Sequence, residues 1–595
     1  MKLVVPYLRE VRPADARLIR LAEFLGISCQ KITLTKPFGG AIGTIASVPA
    51  EDRSCLVINP DVIREWTDGA APTPGLLSSL ISPFRTVLLH AVRPDSFHSA
   101  LVSHLTSGCF HSVQRNRDSR AEFLVAPDSR DICEAFAGLS IGVANAAADR
   151  IFVGGNGARQ LITSGDGAFF ATARLESTEI FLLGSEDVAD LDSEVSDSWL
   201  SDSFSRFLPH AMALRHIFGG QCWRPAHNYA SVTVDDPLLR PNYGFLNFER
   251  LLRMMEEHNF TTTIAFIPHN FRRNSERVVR LFSEHADRLS LCFHGNDHTG
   301  AEFAVTDTAL LHAMLYSAEQ RMAAHGRMTG LPCDRVMVFP QGRFSVEAMA
   351  ALRTHNFDAA VNTGAHPWQE PARLTLRELA QPALLRYAGF PLFTRRYSIH
   401  MQDAEIAFRI FFGIPLLLVE HHDIFENPQS LIDAVGRINR AAPDVRWTSA
   451  GAAVRESILC RRDDRGVLNV KAYAGTVRAN NPSLSPERVS IEWSYPEHES
   501  QIESVDRNGS ACPVIDADDS GVRISAVLDP RVSALFSIRY RRPDSSVVHT
   551  GFRYNTRAIV RRRLSELRDN YICKSPSLLA AAKTLRRRFL LKRTA

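Results

Sequence analysis

The sequence predicts an α/β protein built from several units, and three observations predict this class. Short β-like runs alternate with helical patterns over residues 1-200, and the same alternation recurs between Tyr229 and His298. Beyond Arg461 the apolar residues alternate with polar ones instead. Alternating strands and helices favour a parallel sheet covered by helices, whereas strict alternation favours half-buried antiparallel strands.

The length and composition of the chain limit its architecture. With 595 residues it exceeds one hydrophobic core, and about 150 residues per domain predicts three or four units. Its 45% apolar and 23% charged residues are typical of soluble globular proteins. The ten cysteines include no Cys-x-x-Cys pair, and this scattered usage favours a reducing compartment.

The N-terminal sequence, MKLVVPYLREVRPADARLIR, places charged residues directly after a short apolar run. It therefore lacks the apolar stretch of roughly 7 to 15 residues that a secretory signal needs. No segment approaches the run of about 18 apolar residues expected of a transmembrane helix. The sequence therefore predicts cytoplasmic localisation.

Residues 1-200 are predicted to form an α/β, Rossmann-like domain, because runs such as LVVP, CLVINP and TVLLHAV alternate with helical patterns. The glycine-rich stretch 154–157 lacks the spacing of a phosphate-binding loop, so a plain turn is favoured there. The fold alone assigns this domain no ligand. Acidic, serine-rich residues 187–203 predict a connector, and a helix from about Phe204 to Phe218 leads into a second unit at 221-460.

The second unit begins with a candidate acidic site. The β-rich run from Tyr229 ends at Asp235 and Asp236, and in α/β folds the carboxyl end of a strand is the catalytic edge. A later strand ends on His294, and His298 is the fourth residue after it. Two imidazoles at this spacing can bind one cation, and Asp236 would complete a His-His-Asp triad.

Each of these motifs is weak alone, since a His-x3-His among 21 histidines is unremarkable and Asp-Asp-Pro is often a solvated turn. Together, each at a strand end and one βαβαβ unit apart, they predict a site for a divalent metal. Such a triad leaves an open position for water, whose pKa a bound metal can lower to roughly 7. Asp235 could then act as the base.

The two motifs also resemble those of a known family. VTVDDP is similar to the Thr-Phe-Asp-Asp motif, and HGNDH to the His-x-x-x-His motif, of the polysaccharide deacetylase superfamily of NodB-like carbohydrate esterases. The resemblance covers about residues 225 to 455. It implies a distorted (β/α) barrel that hydrolyses an N-acetyl, or another acyl, group from an amino sugar. It also implies that Asp236, His294 and His298 hold a divalent ion, expected to be zinc, and that Asp235 is the base.

Two further stretches resemble the family's third and fourth regions. In VMVFPQGRFS, Pro340 and Gly342 match an Arg-x-Pro-x-Gly loop. Val338 stands at the arginine position of that loop, so Arg343 is the candidate cation that orients the base. In HNFDAAVNTGAHPW, Trp368 is a candidate sugar platform. The resemblance thus implies that this part of the chain binds the substrate.

The stretch PLLLVEHHDIF resembles the family's strand that ends in a general-acid histidine. The family pattern of His followed by Asp favours His422, and His421 is the alternative. The acid would protonate the departing amine, as the usual partner of a separate base.

Two segments follow the predicted barrel. Residues 465-555 show period-two alternation around Val489, Ile491 and Trp493, which predicts a small β-sandwich that is either glycan-binding or purely structural. Residues 556-595 form a basic segment. From residue 557 onward it has 12 lysines and arginines against Glu566 and Asp569, a net charge of +10, while the whole chain has +4.

The basic segment interleaves its charges with leucines, as in the clusters Arg561–Arg563 and Arg586–Arg588. This pattern favours an amphipathic helix on an anionic membrane surface, with a solvated or core-docked helix as the alternative. Nucleic acid is not expected as a partner, because no aromatic interleaving or recognised module accompanies the charge.

These observations predict a metal-dependent hydrolase, and in particular a carbohydrate N-deacetylase. Its substrate would be an amino sugar of a polysaccharide or glycoconjugate, met in the cytoplasm or at the inner face of the membrane. One alternative is a metal-dependent amidase for a non-carbohydrate C–N bond, which the aromatic residues Tyr243, Phe344 and Trp368 discriminate only weakly. The other is an inactive barrel that binds a glycan, which the missing arginine of the third motif keeps open.

Overall fold

A computed structural model describes most of the chain. The described residues are 1–34, 48, 53–70, 72–116, 119–144, 146–371, 373–494, 502–512, 516–518, 521–542 and 552–575. Of the predicted basic segment, residues 576–595 lie outside this range. Within it, no helix is both long enough and apolar enough to cross a bilayer.

The N-terminal part contains an eleven-stranded mixed sheet. Five neighbouring strands are parallel: Cys29–Thr33, Lys2–Tyr7, Arg53–Ile58, Thr86–Leu89 and Thr178–Leu183. The remaining strands pair antiparallel: Phe110–Arg115, Ala121–Val125, Ser140–Val143, Arg150–Gly154, Arg159–Ser164 and Gly167–Leu175. The Rossmann-like prediction therefore describes only the parallel half. Connections such as the turn at Gly165 are too short for the crossover that parallel strands require.

Helices cover both faces of the parallel strands. Pro13–Phe24 packs on one face, and Pro60–Trp66, Pro74–Ile81 and Ser96–Leu105 pack on the other. A helix at Trp199–Phe218 joins the same core and begins earlier than predicted. Its Phe207 stacks on Phe412 of a barrel helix at a centroid distance of 5.4 Å. The N-terminal sheet and the barrel therefore share a hydrophobic contact through this helix.

The second unit is a closed barrel of seven parallel strands, which confirms the predicted fold class. The strands follow one another around the barrel in chain order, and the first pairs with both the second and the last. They are β1 (Tyr229–Asp235), β2 (Thr262–Phe266), β3 (Leu289–His294), β4 (Asp334–Val338), β5 (Ala359–Asn362), β6 (Leu392–Tyr397) and β7 (Leu416–Glu420). The short strand Arg446–Trp447 pairs with the start of β1.

The barrel strands are buried on both faces, as parallel strands covered by helices require. The surrounding helices are Phe248–His258, Glu276–Glu284, Thr308–Thr329, Val346–Thr354, Leu376–Leu379, Asp403–Phe412, Gln429–Ala441 and Ala450–Glu456. A small hairpin, Asn242–Tyr243 with Leu246–Asn247, stands at the carboxyl end of β1. Its position places the hairpin beside the candidate site.

Two antiparallel-rich sheets follow the barrel and share one core around the fully buried Trp493. The first contains Arg224–Pro225, Leu459–Arg462, Leu468–Ala472, Glu487–Trp493, Gly521–Leu528 and Asp516–Asp518. The second contains Thr476–Asn480, Ser533–Tyr540, Ile502–Arg507 and Ser510–Ala511. This is a β-sandwich, and its outer strand Arg224–Pro225 precedes the barrel in the chain.

The described part of the basic segment belongs to a helix, Phe552–Leu567, that begins shortly before the segment and continues as a π-helical turn, Arg568–Ile572. We call both together the C-terminal helix. It is docked on the barrel, where Glu566 forms ion pairs with Arg240, at 3.1 Å, and with Arg273. Of the arrangements that the sequence leaves open, the described part therefore adopts the docked one.

Candidate metal centre and active site

Four polar side chains face the barrel lumen at the carboxyl ends of the strands. In a strand successive side chains point to opposite faces, so residues with the same parity share a face. Phe393 and Leu417 belong to the apolar cluster inside the barrel. Arg395 lies two residues after Phe393 on β6, and His421 lies four residues after Leu417. Both offsets are even, so Arg395 and His421 also face the lumen. The same periodicity places Asp235 and His294 at the lumen end of β1 and β3.

Asp236 lies directly after β1 in a strained turn. Its φ is +81°, which is unusual for any residue except glycine, and Pro237 follows it. The turn brings Asp236 Oδ1 within 3.4 Å of His294 Nε2 and within 3.4 Å of His298 Nε2. The ligand atoms of the three residues all lie within 4.8 Å of one another.

This donor set fits a small divalent cation. Zinc held tetrahedrally by nitrogen and oxygen at about 2.0–2.1 Å requires ligand atoms about 3.3 Å apart, close to the two distances at Asp236. Asp236 Oδ1 is buried and accepts no hydrogen bond from the described residues. His294 Nδ1 lies 3.0 Å from the carbonyl oxygen of Val338. Donation to that carbonyl leaves the lone pair of Nε2 available for a metal.

The loop between the two histidines is held by a buried carboxylate that the sequence did not single out. Glu302 accepts hydrogen bonds from the backbone N–H groups of Asn296, Asp297 and His298 at 2.7, 3.1 and 3.1 Å. Gly295 has a φ of +62°, and a Cβ there would lie 2.1 Å from Glu302 and 2.4 Å from Pro340. Only glycine therefore allows this tight return of the chain.

Asp235 is held by an arginine that motif comparison missed. Arg395 Nη1 and Nη2 donate to its two carboxylate oxygens at 2.7 and 2.6 Å, and both side chains are buried. Arg343, the cation expected from the third motif, does not contact Asp235. It lies instead over the ring of Trp368 at 3.6 Å from the centroid. The orienting cation comes from β6, and the period-two position of Arg395 after Phe393 was the signal available in the sequence.

The remaining residues of the third and fourth regions lie at the same end of the barrel. Pro340 packs against Gly295, and Gly342 follows in the same turn with a φ of +66°. The carbonyl oxygen of Gly342 accepts a hydrogen bond from Asn362 Nδ2 at 2.9 Å, which ties this turn to the end of β5. Trp368 is 44% exposed, so part of its ring remains available to a ligand.

The two adjacent histidines after β7 have different surroundings. His421 is half-buried and stacks on Tyr397 at a centroid distance of 6.1 Å. His422 is buried on the other side, and its Nε2 lies 3.5 Å from Asp569. Its Nδ1 faces the backbone of Gly244, where an added Cβ would lie 2.2 Å away. Of the two imidazoles, only that of His421 shares the lumen face with Asp235.

The C-terminal helix covers this end of the barrel, which sequence motifs gave no reason to expect. Tyr243 Oη donates to Asp569 Oδ2 at 2.8 Å, and Gly244 N donates to Asn570 Oδ1 at 2.9 Å. Arg562 Nη2 lies 3.3 Å from the carbonyl oxygen of His298. These contacts join positions about 260 to 330 residues apart in the chain, beyond the reach of any local pattern.

Electrostatic interactions keep the carboxylates ionised. Burial alone would raise the pKa of Asp235, but Arg395 and His294 together hold it below its ordinary value. Burial would likewise raise the pKa of Asp236, but the imidazoles of His298 and His294 lower it well below the ordinary range. Burial lowers the pKa of His298 to about 4, despite Asp236. Burial would also lower the pKa of His294, but Asp235 and Asp236 raise it above its ordinary value. A neutral imidazole and an ionised carboxylate are the forms that bind metals.

No protein-family model matches the chain. No curated protein sequence matches it either. Among solved structures it is similar to the carbohydrate deacetylase Agd3, with 9% identity and a TM-score of 0.46, over 90% of this chain and 98% of the other.

Two other similar structures match a smaller part of the chain. A peptidoglycan N-acetylglucosamine deacetylase has 14% identity and a TM-score of 0.24, over 39% of this chain and 90% of the other. A family 4 acetyl xylan esterase from Clostridium thermocellum, in complex with a cobalt ion, has 12% identity and a TM-score of 0.24, over 38% and 90%. At these values the likeness alone assigns no function. Carbohydrate deacetylases and family 4 carbohydrate esterases are thus among the solved proteins to which the chain is similar.

Proposed function

We propose that the protein is a metal-dependent carbohydrate N-deacetylase that acts on an N-acetylated amino sugar of a polysaccharide or glycoconjugate. The observation that carries this proposal is the convergence of Asp236, His294 and His298 beside the Asp235–Arg395 pair at the mouth of the barrel. A candidate metal centre next to a separate, ionised carboxylate would supply the Lewis acid and the general base that hydrolysis of an acyl group needs.

In this proposal Asp236, His294 and His298 hold a divalent ion, which we take to be zinc. When bound, such an ion polarises an acyl carbonyl and makes water a better nucleophile. Asp235 accepts the proton of the attacking water. Arg395 orients Asp235 and keeps it ionised, while each carboxylate oxygen retains a lone pair that the arginine does not use.

We assign the general acid to His421. Its side chain shares the lumen face with Asp235 and is not sequestered by a carboxylate, whereas His422 lies between Gly244 and Asp569. His421 would donate its proton to the departing amine as the C–N bond breaks. His422 would instead anchor the C-terminal helix.

Sugar specificity is supported by an exposed aromatic side chain near the site. Trp368 presents part of its ring to solvent while Arg343 covers one face, and the exposed part offers a sugar ring an apolar aromatic surface. Gly342 and Pro340 shape the turn that leads to it. A non-carbohydrate amide remains the alternative substrate, and an inactive glycan-binding barrel remains the alternative role.

One experiment separates these three possibilities. The purified full chain is analysed for bound metal and for sugar binding, and is then incubated with acetylated amino sugars and with simple N-acyl amides while acetate release is followed. A deacetylase should release acetate from the sugars faster than from the amides. The reverse order would identify an amidase, and tight sugar binding without any acetate release would identify an inactive barrel.

We also propose that the protein resides in the cytoplasm, with contact to an anionic membrane face through residues 576–595. All ten cysteines are unpaired in the structure, as a reducing compartment requires. The last twenty residues contain Lys583, Arg586, Arg587, Arg588, Lys592 and Arg593 and no acidic residue. Each basic residue near an anionic surface contributes about 1 kcal/mol of attraction.

A further inference from the structure

The C-terminal helix brings one arginine to the candidate site without a carboxylate partner. Arg562 is 8% exposed. Its Nη2 lies 3.3 Å from the carbonyl oxygen and 3.4 Å from Nδ1 of His298, and 3.5 Å from Ser565 Oγ. Its Nε is buried with no hydrogen-bond partner. Within the described part of the chain, no carboxylate forms an ion pair with it.

Five other arginines around the barrel mouth have carboxylate partners. These pairs are Arg395 with Asp235, Arg321 with Asp297, Arg240 and Arg273 with Glu566, and Arg568 with Asp569. A buried charge without such a partner is unfavourable unless a ligand supplies the counter-charge. Within the described part of the chain Arg562 is buried without such a partner, so its charge calls for a ligand.

The nearest anionic groups are already engaged elsewhere. Asp236 and Glu302 act on Arg562 at longer range. Asp236, however, belongs to the candidate metal centre, and Glu302 accepts three backbone N–H groups of the histidine loop. Neither side chain is free to turn towards the guanidinium, so its charge remains available to a bound molecule.

We propose that Arg562 is a substrate-binding residue that selects N-acetylated amino sugars carrying a carboxylate or a phosphate near the acyl group. The planar guanidinium matches both anions, because it can donate two parallel hydrogen bonds to either one. That the ligand is an amino sugar rests on the proposed deacetylase function. That the ligand carries an anion rests on the buried, unpaired charge of Arg562.

The position of Arg562 is fixed by the anchors of the C-terminal helix. Glu566 lies one turn further along, between Arg240 and Arg273, and Asp569 lies one turn beyond that, against Tyr243. A side chain held in this way is pre-organised, so less ordering entropy opposes binding. The helix therefore forms part of the binding wall.

The test measures the binding of three sugars to the metal-loaded full chain by titration calorimetry. N-acetylglucosamine is neutral, its 1-phosphate carries a phosphate on the carbon next to the N-acetyl group, and N-acetylmuramic acid carries a carboxylate in its substituent on the other neighbouring carbon, so the two anions are distinguished. The wild type should bind at least one charged sugar about tenfold more tightly than the neutral one, the usual worth of a charge-assisted hydrogen bond. Arg562→Gln should lose this preference and keep its affinity for the neutral sugar.

Two further variants complete the design. Arg557→Gln removes an exposed arginine from the same helix and should keep the preference. Arg562→Lys should keep part of it, because a positive charge remains. Limited proteolysis of all variants reports whether the helix stays docked. If Arg562→Gln releases the helix, the proposal is tested by comparing the wild type with Arg562→Lys, provided that the helix stays docked in this variant. Lysine cannot form the two parallel hydrogen bonds, so the preference for charged sugars should be weaker in Arg562→Lys than in the wild type.

Retention of the anion preference in Arg562→Gln would overturn the proposal, and so would equal weakening of the neutral and charged sugars. Equal affinity of the wild type for all three sugars would also overturn it. All compared chains also carry Asp235→Asn, so that hydrolysis neither consumes the sugar nor adds heat during the titration, and the outcome is independent of turnover. A preference for the charged sugars without acetate release by the chain that retains Asp235 would refute the deacetylase proposal and leave the role of Arg562 intact.

Discussion

Asp235 and Asp236 are neighbours in sequence but have opposite surroundings. Asp235 is the last residue of β1 and is held by the bidentate contact with Arg395. Asp236 turns away through a positive φ, so its carboxylate meets two imidazoles instead. One peptide unit thus separates a carboxylate suited to accept a proton from one suited to hold a cation.

Substitution of Asp235 tests its role as the base. Asp235→Asn should leave the metal content unchanged and lower turnover by roughly a hundredfold to ten-thousandfold, the usual contribution of a general base. The asparagine oxygen can still accept one hydrogen bond from Arg395, but the buried guanidinium loses its counter-charge, so the variant is also expected to be less stable. Metal content and acetate release are measured on the same preparation, and loss of the ion would mean that the two aspartates have exchanged roles.

Substitution of the histidines tests the metal centre. His294→Ala and His298→Ala should each lower metal occupancy and activity together, because each removes one of the three proposed ligands. His312→Ala serves as the matched control, since His312 pairs with His355 outside the cluster. Elemental analysis and activity are compared for the three variants. Full metal retention in both ligand variants would refute the assignment.

At the scale of secondary structure, the loop between β3 and its following helix determines where His298 points. Its backbone N–H groups converge on the carboxylate of Glu302, and the φ of His298 is +54°. Buried Asp297 forms an ion pair with Arg321 of the helix Thr308–Thr329. The loop is therefore stabilised by charge on both sides, although it has no regular structure.

Weakening this support should loosen the candidate metal site without removing any of its three proposed ligands. Glu302→Gln has nearly the same shape but no charge, so we expect metal affinity to fall by about tenfold to a hundredfold, as for other groups that orient ligands. The exposed residue Glu256 gives the control variant Glu256→Gln. Competition with a coloured chelator measures both affinities. Equal affinity in the two variants would show that the loop holds its shape without Glu302.

The sequence predicted the parts of the site that depend on local order. Strand ends place Asp235, Asp236 and His294 directly, and the short return to His298 keeps its imidazole within reach, so spacing alone was sufficient to bring these side chains together. Arg395 was not predicted, because its partner lies on a strand 160 positions earlier and is met only when the barrel closes. Assigning the general acid to His421 or His422 depends on which groups surround each ring in the fold. Two adjacent histidines in a sequence do not reveal those surroundings.

At the scale of the whole molecule, the barrel mouth is assembled from distant parts of the chain. The C-terminal helix reaches back 326 positions to Tyr243, Gly244 and Arg240. Its buried face carries Ala558, Arg562 and Asp569, while Val560, Leu564 and Tyr571 are exposed. The composition of the basic segment predicted a helix, but only the folded barrel reveals what its inner face contacts.

Removal of the last residues tests contact with membranes. The full chain should sediment with anionic liposomes at low salt and dissociate as salt rises, because exposed charges are screened over about 8 Å at physiological ionic strength. A chain ending at residue 575 keeps the docked helix, so it should retain its metal and bind liposomes more weakly. Neutral liposomes are the control. Equal sedimentation of both chains would exclude residues 576–595 as the membrane contact.

The central claim is that the Asp236–His294–His298 cluster supports removal of an acetyl group from an amino sugar. The most direct measurement follows acetate release from N-acetylglucosamine oligomers by the full chain, before chelation, after chelation and after a divalent metal is restored. We expect release to disappear with the metal and to return with it, and to stay absent in Asp236→Ala after metal is added. Unchanged release by the chelated chain, or by Asp236→Ala, would contradict the account.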